Sequence, residues 1–504
     1  MLQNILQFRR NQSLVLALLA VVAAIIPVAV ARIPGFTDMP SHMARQHIMA
    51  EIGHNPAIDG LFSVHWRWTA NLGVDLCTLL LSPFLSTETA VRLVAGLIAP
   101  LTAGGLFALS RAAHGRIAPS AFIALPLIFN QAWMWGFQNF GLGTALALFV
   151  AAWMMRRPER EWYRQAWLAA LALMVWTAHL GSWGILLVLA AGQELAGLRQ
   201  MADLGRSIRR TWPLFVPLVP LVLWRAGAQG HSSGFVYGDF LTNKAIVFAS
   251  IFKGTSKPFD IGLLAALLIA ASVATWAAGK GKFELRLALG GVLLTGATLA
   301  APITIFNAWG TDLRCAPVAL MLLVLSIRPS ADARRECALV MLGLALFTAR
   351  LGVVTWDWVR QSAQYEARLA LLDDVARGSC LGYIYVWPNC GFPWRLNPET
   401  KLGSYAVTRR DAFAGSLFQV MNADIVSVRD PRLDQHWHDG TQNLMPLCPQ
   451  GAVDQVKLHQ VLASMHFDGL NYVWISGLSP DVLGVTPGYR LLRHVGNDDL
   501  LIAN

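Results

Sequence analysis

The chain has 504 residues, 55% of them hydrophobic and 14% charged, with 19 Trp and 42 Gly. Soluble domains carry about 25% charged residues, so this composition excludes an ordinary soluble enzyme, a disordered chain and a disulfide scaffold, and predicts a polytopic membrane protein. The net charge of +10 is uneven: residues 1–359 hold 28 Lys/Arg against 16 Asp/Glu, and residues 360–504 hold 12 against 14. A basic excess confined to the apolar part follows the positive-inside bias. No Lys/Arg-rich run is interleaved with aromatics, which excludes nucleic acid as a partner.

Residues 12–32 are long enough to cross a bilayer, which takes roughly 20 apolar residues, and Arg9 and Arg10 precede them. Ala29-Val30-Ala31 also resembles a signal-peptide cleavage site, but the many later spans favour a retained first helix. Further spans are expected at 88–110, 117–135, 138–155, 163–180, 182–198, 212–226, 259–278, 286–302, 313–328 and 336–356, giving about eleven in all. Basic clusters separate them, beginning at Arg111, Arg156, Arg199, Lys280 and Arg328. Placing all of these inside leaves an even number of crossings between neighbours, a cytoplasmic N-terminus and an outer C-terminal segment, in an inner (plasma) membrane. The stretch 66–86 carries Arg67, Asp75 and Pro83 and reads as an interfacial helix of the outer leaflet.

Three segments then lie outside: 33–87, 227–258 and 359–504. The last is polar, with strand-like runs at Leu381–Trp387, Tyr472–Ser476 and Leu491–Ile502, and is expected to form a small α/β domain. This divides the chain into a membrane module, 1–358, and an outer domain, 359–504. Cys77, Cys315 and Cys337 fall in apolar stretches and read as packing residues. Of the outer Cys380, Cys390 and Cys448, Cys380–Cys390 is the first expected disulfide and Cys390–Cys448 the second, with one thiol left over.

The densest cluster of chemically capable side chains follows the first span: Asp38, His42, His47, Glu51, His54, Asp59 and His65. Residues 40–52 read as a helix with Asp38 at its N-cap, and His47 and Glu51 are spaced i, i+4. No HExxH or comparable ligand spacing appears, so the histidines do not spell a metal site.

The order continues with a second helix at 66–84. Ser86-Thr87-Glu88-Thr89-Ala90-Val91-Arg92-Leu93 then enters a span that closes in Ser110-Arg111-Ala112-Ala113-His114-Gly115-Arg116. In this the chain resembles the GT-C superfamily of integral-membrane glycosyltransferases, which includes the aminoarabinose and protein O-mannosyl transferases and the oligosaccharyltransferases. The likeness is best over residues 10–155. It departs from that pattern at Phe62–Arg67, where relatives often carry a Lys-Pro-Pro run, and it lacks a Trp-Trp-Asp signature. The resemblance implies transfer of a sugar from a polyprenyl-phosphate donor to a glycan, lipid or protein acceptor, on the outer face and with inversion. Such work belongs to cell-envelope polysaccharide biosynthesis.

Such a reaction needs a carboxylate to take the acceptor's proton while oxocarbenium character develops at the anomeric carbon. Asp38 is the candidate base, with His42 and His47 to position or assist it. The leaving lipid phosphate needs cations: Arg314, beside Asp312, or Lys244, Lys253 and Lys257 in the second outer loop. Asp239, His231 and His179 are candidates for the rest of the cavity. No cofactor is called for, and a divalent Mg or Mn ion is left open. Trp133, Trp135 and Phe137 read as belt aromatics or as a sugar-stacking surface. Tyr383, Tyr385, Trp387, Phe392 and Trp394 read as a core or as an acceptor platform. Two other readings stay open: a lipid or polysaccharide flippase, and an inactive scaffold of a polysaccharide synthase complex.

Overall fold

The structure is a computed structural model that describes residues 2–156, 161–226, 234–305, 308–388, 390–391, 393–417, 425–438, 442–448, 453–478 and 486–504. It divides into two compact units. The first takes residues 1–29, 68–74 and 95–356, and the second takes 30–67, 75–94 and 357–504. The outer-loop residues 30–67 and 75–94 thus belong to the same unit as the C-terminal segment.

The first unit is helical. Among the described residues, five helical stretches of the chain are long and apolar enough to cross a membrane: Gln12–Val30, Thr87–His114, Gln138–Met155, Lys257–Ala277 and Ala333–Asp374. The helices Glu161–Ala178, Leu180–Leu195, Leu285–Ala300 and Thr311–Leu325 fall on four further expected spans. The run 117–135 departs from expectation. It folds as the helix Pro119–Ala124, the 3-10 turn Leu125–Phe129 and the helix Gln131–Trp135. Pro126 removes an N–H that a single helix would need in its interior, Pro119 starts the first piece at its N1 position, and Gly136, at φ 83°, ends the last piece. The run 212–226 likewise breaks, into Trp212–Phe215 and Leu218–Ala226.

The expected helix 66–84 is shorter than its apolar run. Residues 68–72 are held extended by the 177–180 corner: Leu72 N donates to Thr177 O at 2.9 Å and Leu180 N to Ala70 O at 3.0 Å. Helix begins only at Gly73, where a Cβ would stand 2.7 Å from the Ala178 backbone. Elsewhere in this unit, the helices Leu180–Leu195 and Leu285–Ala300 meet backbone to backbone at Gly192 and Gly290, the close approach that small residues permit between membrane helices.

The second unit is built on a mixed sheet. Its central strand, Cys380–Val386, runs parallel to Tyr472–Ser476, Phe413–Ala414 and Gln442–Leu444. Asp498–Ala503 pairs antiparallel with Tyr472–Ser476, and Tyr489–Val495 closes the edge. The predicted run Leu491–Ile502 is therefore a hairpin, turned at Gly496 (φ 64°) and Asn497, a Gly-Asn signal for a tight turn. A second, two-stranded ladder joins Phe62–Val64 of the first outer loop to Val426–Val428. The disulfide is Cys390–Cys448, with Cα atoms 5.8 Å apart, and Cys380 is free. This corrects the first expected pairing, because Cys380 opens the central strand while Cys390 lies beyond its far end.

Candidate functional site

In the second unit, the chain reaches Asp38 through a tightly packed turn. The Phe36 ring meets the Trp358 indole edge-on at 4.6 Å. Gly35 lies so close beneath that indole that a Cβ would stand 2.4 Å from its Nε1. Ile33 N donates to Ser362 Oγ at 2.7 Å, and that hydroxyl donates back to Ile33 O at 3.0 Å. Asp38 follows as the residue preceding the helix Met39–Glu51. It holds the N-cap position, but with helical dihedrals, and its carboxylate makes no capping hydrogen bond. The residue is half-buried.

Its electrostatic neighbour is Lys401, from the 3-10 turn Glu399–Ser404. Lys401 is only 6% exposed. Burial lowers its ammonium to about 8, and the Asp38 carboxylate acts in the opposite direction. A line of buried serine hydroxyls ties turn to helix: Ser41 Oγ to Ser404 Oγ at 3.3 Å, and Ser404 Oγ to Ser416 Oγ at 2.9 Å.

His42 stands one turn beyond Asp38, buried, with its backbone N–H on Asp38 O at 3.1 Å. Four residues of helix keep the two on one side. His47 is placed differently. Nine residues separate it from Asp38, which is about 13 Å of rise and two and a half turns, so it faces the opposite way. Its Nε2 pairs with Asp411 Oδ1 at 2.9 Å, its Nδ1 lies 3.4 Å from Thr87 Oγ1, and Asp411 Oδ2 accepts from Arg377 at 2.7 Å. The sequence places the two histidines in one role, and the helix separates them.

Helix Met39–Glu51 is fixed on another side by Asp75, which is fully buried. Arg45 Nη2 lies 3.2 Å from one of its carboxylate oxygens and Gln46 Nε2 donates to the other at 3.3 Å.

The first unit holds the expected phosphate and cavity residues. Lys244 Nζ pairs with Asp312 Oδ2 at 2.7 Å and also donates to Ala301 O, and Asn243 donates to the same carboxylate at 2.7 Å. Both charges are buried, so Lys244 and Asp312 neutralise each other. The partner of Asp312 in this pair is Lys244. Arg314 lies over the Phe137 ring at 4.0 Å, donates to Trp309 O at 3.0 Å and lies 3.2 Å from His179 Nε2. His179 in turn caps the helix Leu180–Leu195, its Nδ1 accepting from Gly181 N at 3.0 Å. Phe137 thus carries a guanidinium on its face, and the rings of Trp135, Phe137 and Trp309 pack against one another.

Lys253 is half-buried, which lowers its ammonium, and Lys257 is exposed at the start of the helix Lys257–Ala277. Asp239 is exposed and accepts from Thr242 Oγ1 at 2.6 Å where the helix Phe240–Ala249 begins. His231 lies outside the described residues. In the second unit, Tyr383, Tyr385 and Trp387 are core, not platform: Tyr383 meets Trp474 at 5.2 Å and Tyr385 meets Trp387 at 5.4 Å. Phe392 lies outside the described residues. Among the described residues, no group of three His, Cys, Asp or Glu is placed to hold a metal ion.

No protein-family model matches the chain, and no curated protein matches it in sequence. Among solved structures, ArnT from Cupriavidus metallidurans in the apo state superposes over 97% of this chain and 98% of its own, with a TM-score of 0.56 and 12% identity. The chain has the GT-C fold. The arabinofuranosyltransferase AftD from mycobacteria also matches over 97% of this chain, at 13% identity and a TM-score of 0.48, and the chain spans 40% of AftD's length. With the GT-C fold and its apolar helices, this is a multi-pass membrane protein.

Two residues of this chain escape sequence reasoning. Lys401 is one lysine among a polar segment's charges, and nothing local marks it as facing Asp38 across 363 positions of sequence. Arg350 left a signal: it sits inside an expected span, where an ionisable side chain is costly unless it has partners. It is fully buried, donating to Asp260 at 2.7 Å and to the carbonyls of Phe129 and Phe252 at 2.9 Å each. Asp260 also accepts from Gly254 N and Thr255 N at 3.1 Å. Arg350 therefore locks the 252–260 turn onto the broken run 117–135.

Proposed function

We propose that this protein is a membrane glycosyltransferase that takes a sugar from a polyprenyl-phosphate donor and passes it to a hydroxyl of a glycan, lipid or protein acceptor on the outer face of the membrane. The observation that carries this reading is Asp38: a half-buried carboxylate at a helix start that does not cap the helix, beside a buried lysine, in a chain with the GT-C fold. The fold match to ArnT supports the GT-C part of this reading, and the donor class is what the resemblance over residues 10–155 implies.

In this reading Asp38 accepts the proton of the acceptor hydroxyl as that oxygen attacks the anomeric carbon. The bond from that carbon to the phosphate oxygen breaks with its electron pair, and polyprenyl phosphate departs from the opposite side, so the configuration inverts. Lys401 acts through Asp38. Its positive charge keeps the carboxylate ionised and oriented, while its burial limits how far solvent screens that charge. His42, on the same side of the helix, is the second positioning group. The N-terminus is cytoplasmic and residues 359–504 are outside, by the distribution of Arg and Lys.

The test is donor discrimination. Purified protein in lipid nanodiscs is given the same radiolabelled sugar on polyprenyl phosphate or on a nucleotide, with a mixed acceptor extract. Label is expected to leave polyprenyl phosphate alone. Transfer from the nucleotide sugar would overturn the donor assignment.

A further inference from the structure

On the far side of the helix Met39–Glu51 from Asp38, the second unit has an open cleft of about 630 Å³, inside the range of roughly 300–1,000 Å³ typical of small-molecule sites. One wall is the end of that helix, with His47, Ala50, Glu51 and His54, and the other is the turn 82–86 running into the helix Thr87–His114.

The chemistry of the walls narrows the ligand. Glu51 and Glu88 both face the cleft and disfavour an anion, and the Arg92 guanidinium is engaged by Ala31 O at 2.8 Å. No metal-holding group of three exists among the described residues. Hydroxyls and charges line most of the surface, so an apolar ligand finds little to cover. What remains is a neutral polyhydroxylated molecule, whose vicinal hydroxyls suit carboxylates, imidazoles and hydroxyls.

The polar groups are also held in place beforehand. His47 is fixed by Asp411 and Thr87, and Asp411 is the one non-glycine among the described residues with a positive φ, 52°. Glu88 is held by Arg409 at 3.0 Å, Ser86 and Thr89 pair at 2.9 Å, and Thr408 donates to Tyr405 O at 3.2 Å. A polar wall braced in this way loses little entropy when a ligand binds.

We propose that this cleft is a saccharide-binding subsite for a neutral oligosaccharide, holding a part of the acceptor that lies away from the reacting hydroxyl. Its role rests on the transferase reading, but its existence does not. The full chain in nanodiscs is titrated with maltotriose, mannotriose and arabinotriose, and with inorganic phosphate, by ligand-observed NMR, alongside Glu51→Gln and Ala50→Trp. Ala50 lies on the open wall, so the Trp blocks the cleft, and thermal melting checks that both variants fold. Saturable binding of at least one trisaccharide is expected, weakened about tenfold or more by Glu51→Gln and abolished by Ala50→Trp.

No saturation by any trisaccharide up to about 20 mM, equal binding by wild type and both folded variants, or tighter binding of phosphate would each overturn the proposal. A chain that transfers sugar but binds no trisaccharide overturns the cleft alone. A chain that binds trisaccharide at the cleft but transfers nothing overturns the transferase reading alone.

Discussion

Lys401 is the residue whose behaviour separates this account from one in which Asp38 is only a surface acid. Its folded value, about 8, lies below its ordinary 10.5. Between those values the unfolded chain holds a proton that the folded chain has lost, so stability rises as pH climbs from about 8 to 10.5. Melting of the wild type followed across that window is expected to show the rise, and Lys401→Met to lack it. In the transfer assay the same variant is expected to lose the inflection near pH 8 that wild type shows. An unchanged pH profile would leave Lys401 a mere filler of space. Asp38 itself was legible in the sequence, because its position just past the first span and before a helix pattern is local information. Its electrostatic neighbour Lys401 was not, since a charge brought near across several hundred residues leaves no local trace. The same holds for Lys244 and Asp312, whose pairing across the sequence no local pattern announces.

At the scale of elements, the helix Met39–Glu51 is what places the site. Its sequence bounds were nearly right, 40–52 against 39–51, because Pro40 and the run behind it are strong local signals. What anchors it was not legible, namely the buried Asp75 with Arg45 and Gln46. Removing one partner of a buried pair strands the other charge, at roughly 3–5 kcal/mol. Asp75→Ala is therefore expected to lower stability by about that amount in denaturant titration of the solubilised protein, and a loss within measurement error would show that the pair does not hold the helix. Gly35 is a second such point. A methyl there would meet the Trp358 indole at 2.4 Å, so Gly35→Ala is expected to shift the turn leading to Asp38 and reduce kcat with little change in donor KM. Hydropathy located apolar runs, five of which hold helices long enough to cross a membrane among the described residues, but it read 117–135 and 66–84 as single helices. Apolar content says which stretches are buried from water, whereas Pro126 and the hydrogen bonds of 68–72 decide what shape those two take.

For the whole molecule, the basic clusters predict the topology, because placing them all inside leaves an even number of crossings between neighbours. Cysteine accessibility tests the orientation. In a background with the free Cys77, Cys315, Cys337 and Cys380 replaced by Ser, Arg334→Cys, at an exposed position in a cluster placed inside, is expected to react with a membrane-impermeant maleimide only after cells are permeabilised. Labelling of intact cells would invert the topology and move Asp38 to the cytoplasm. The central claim, that this chain moves sugar from a polyprenyl phosphate with Asp38 as base, has a more direct test. Purified wild type and Asp38→Asn are compared for transfer or release of radiolabelled sugar from a panel of polyprenyl-phosphate sugars, each with its melting curve. The account predicts turnover by wild type and a loss of about 10²-fold or more in a variant that still folds. Equal turnover by both proteins would contradict it.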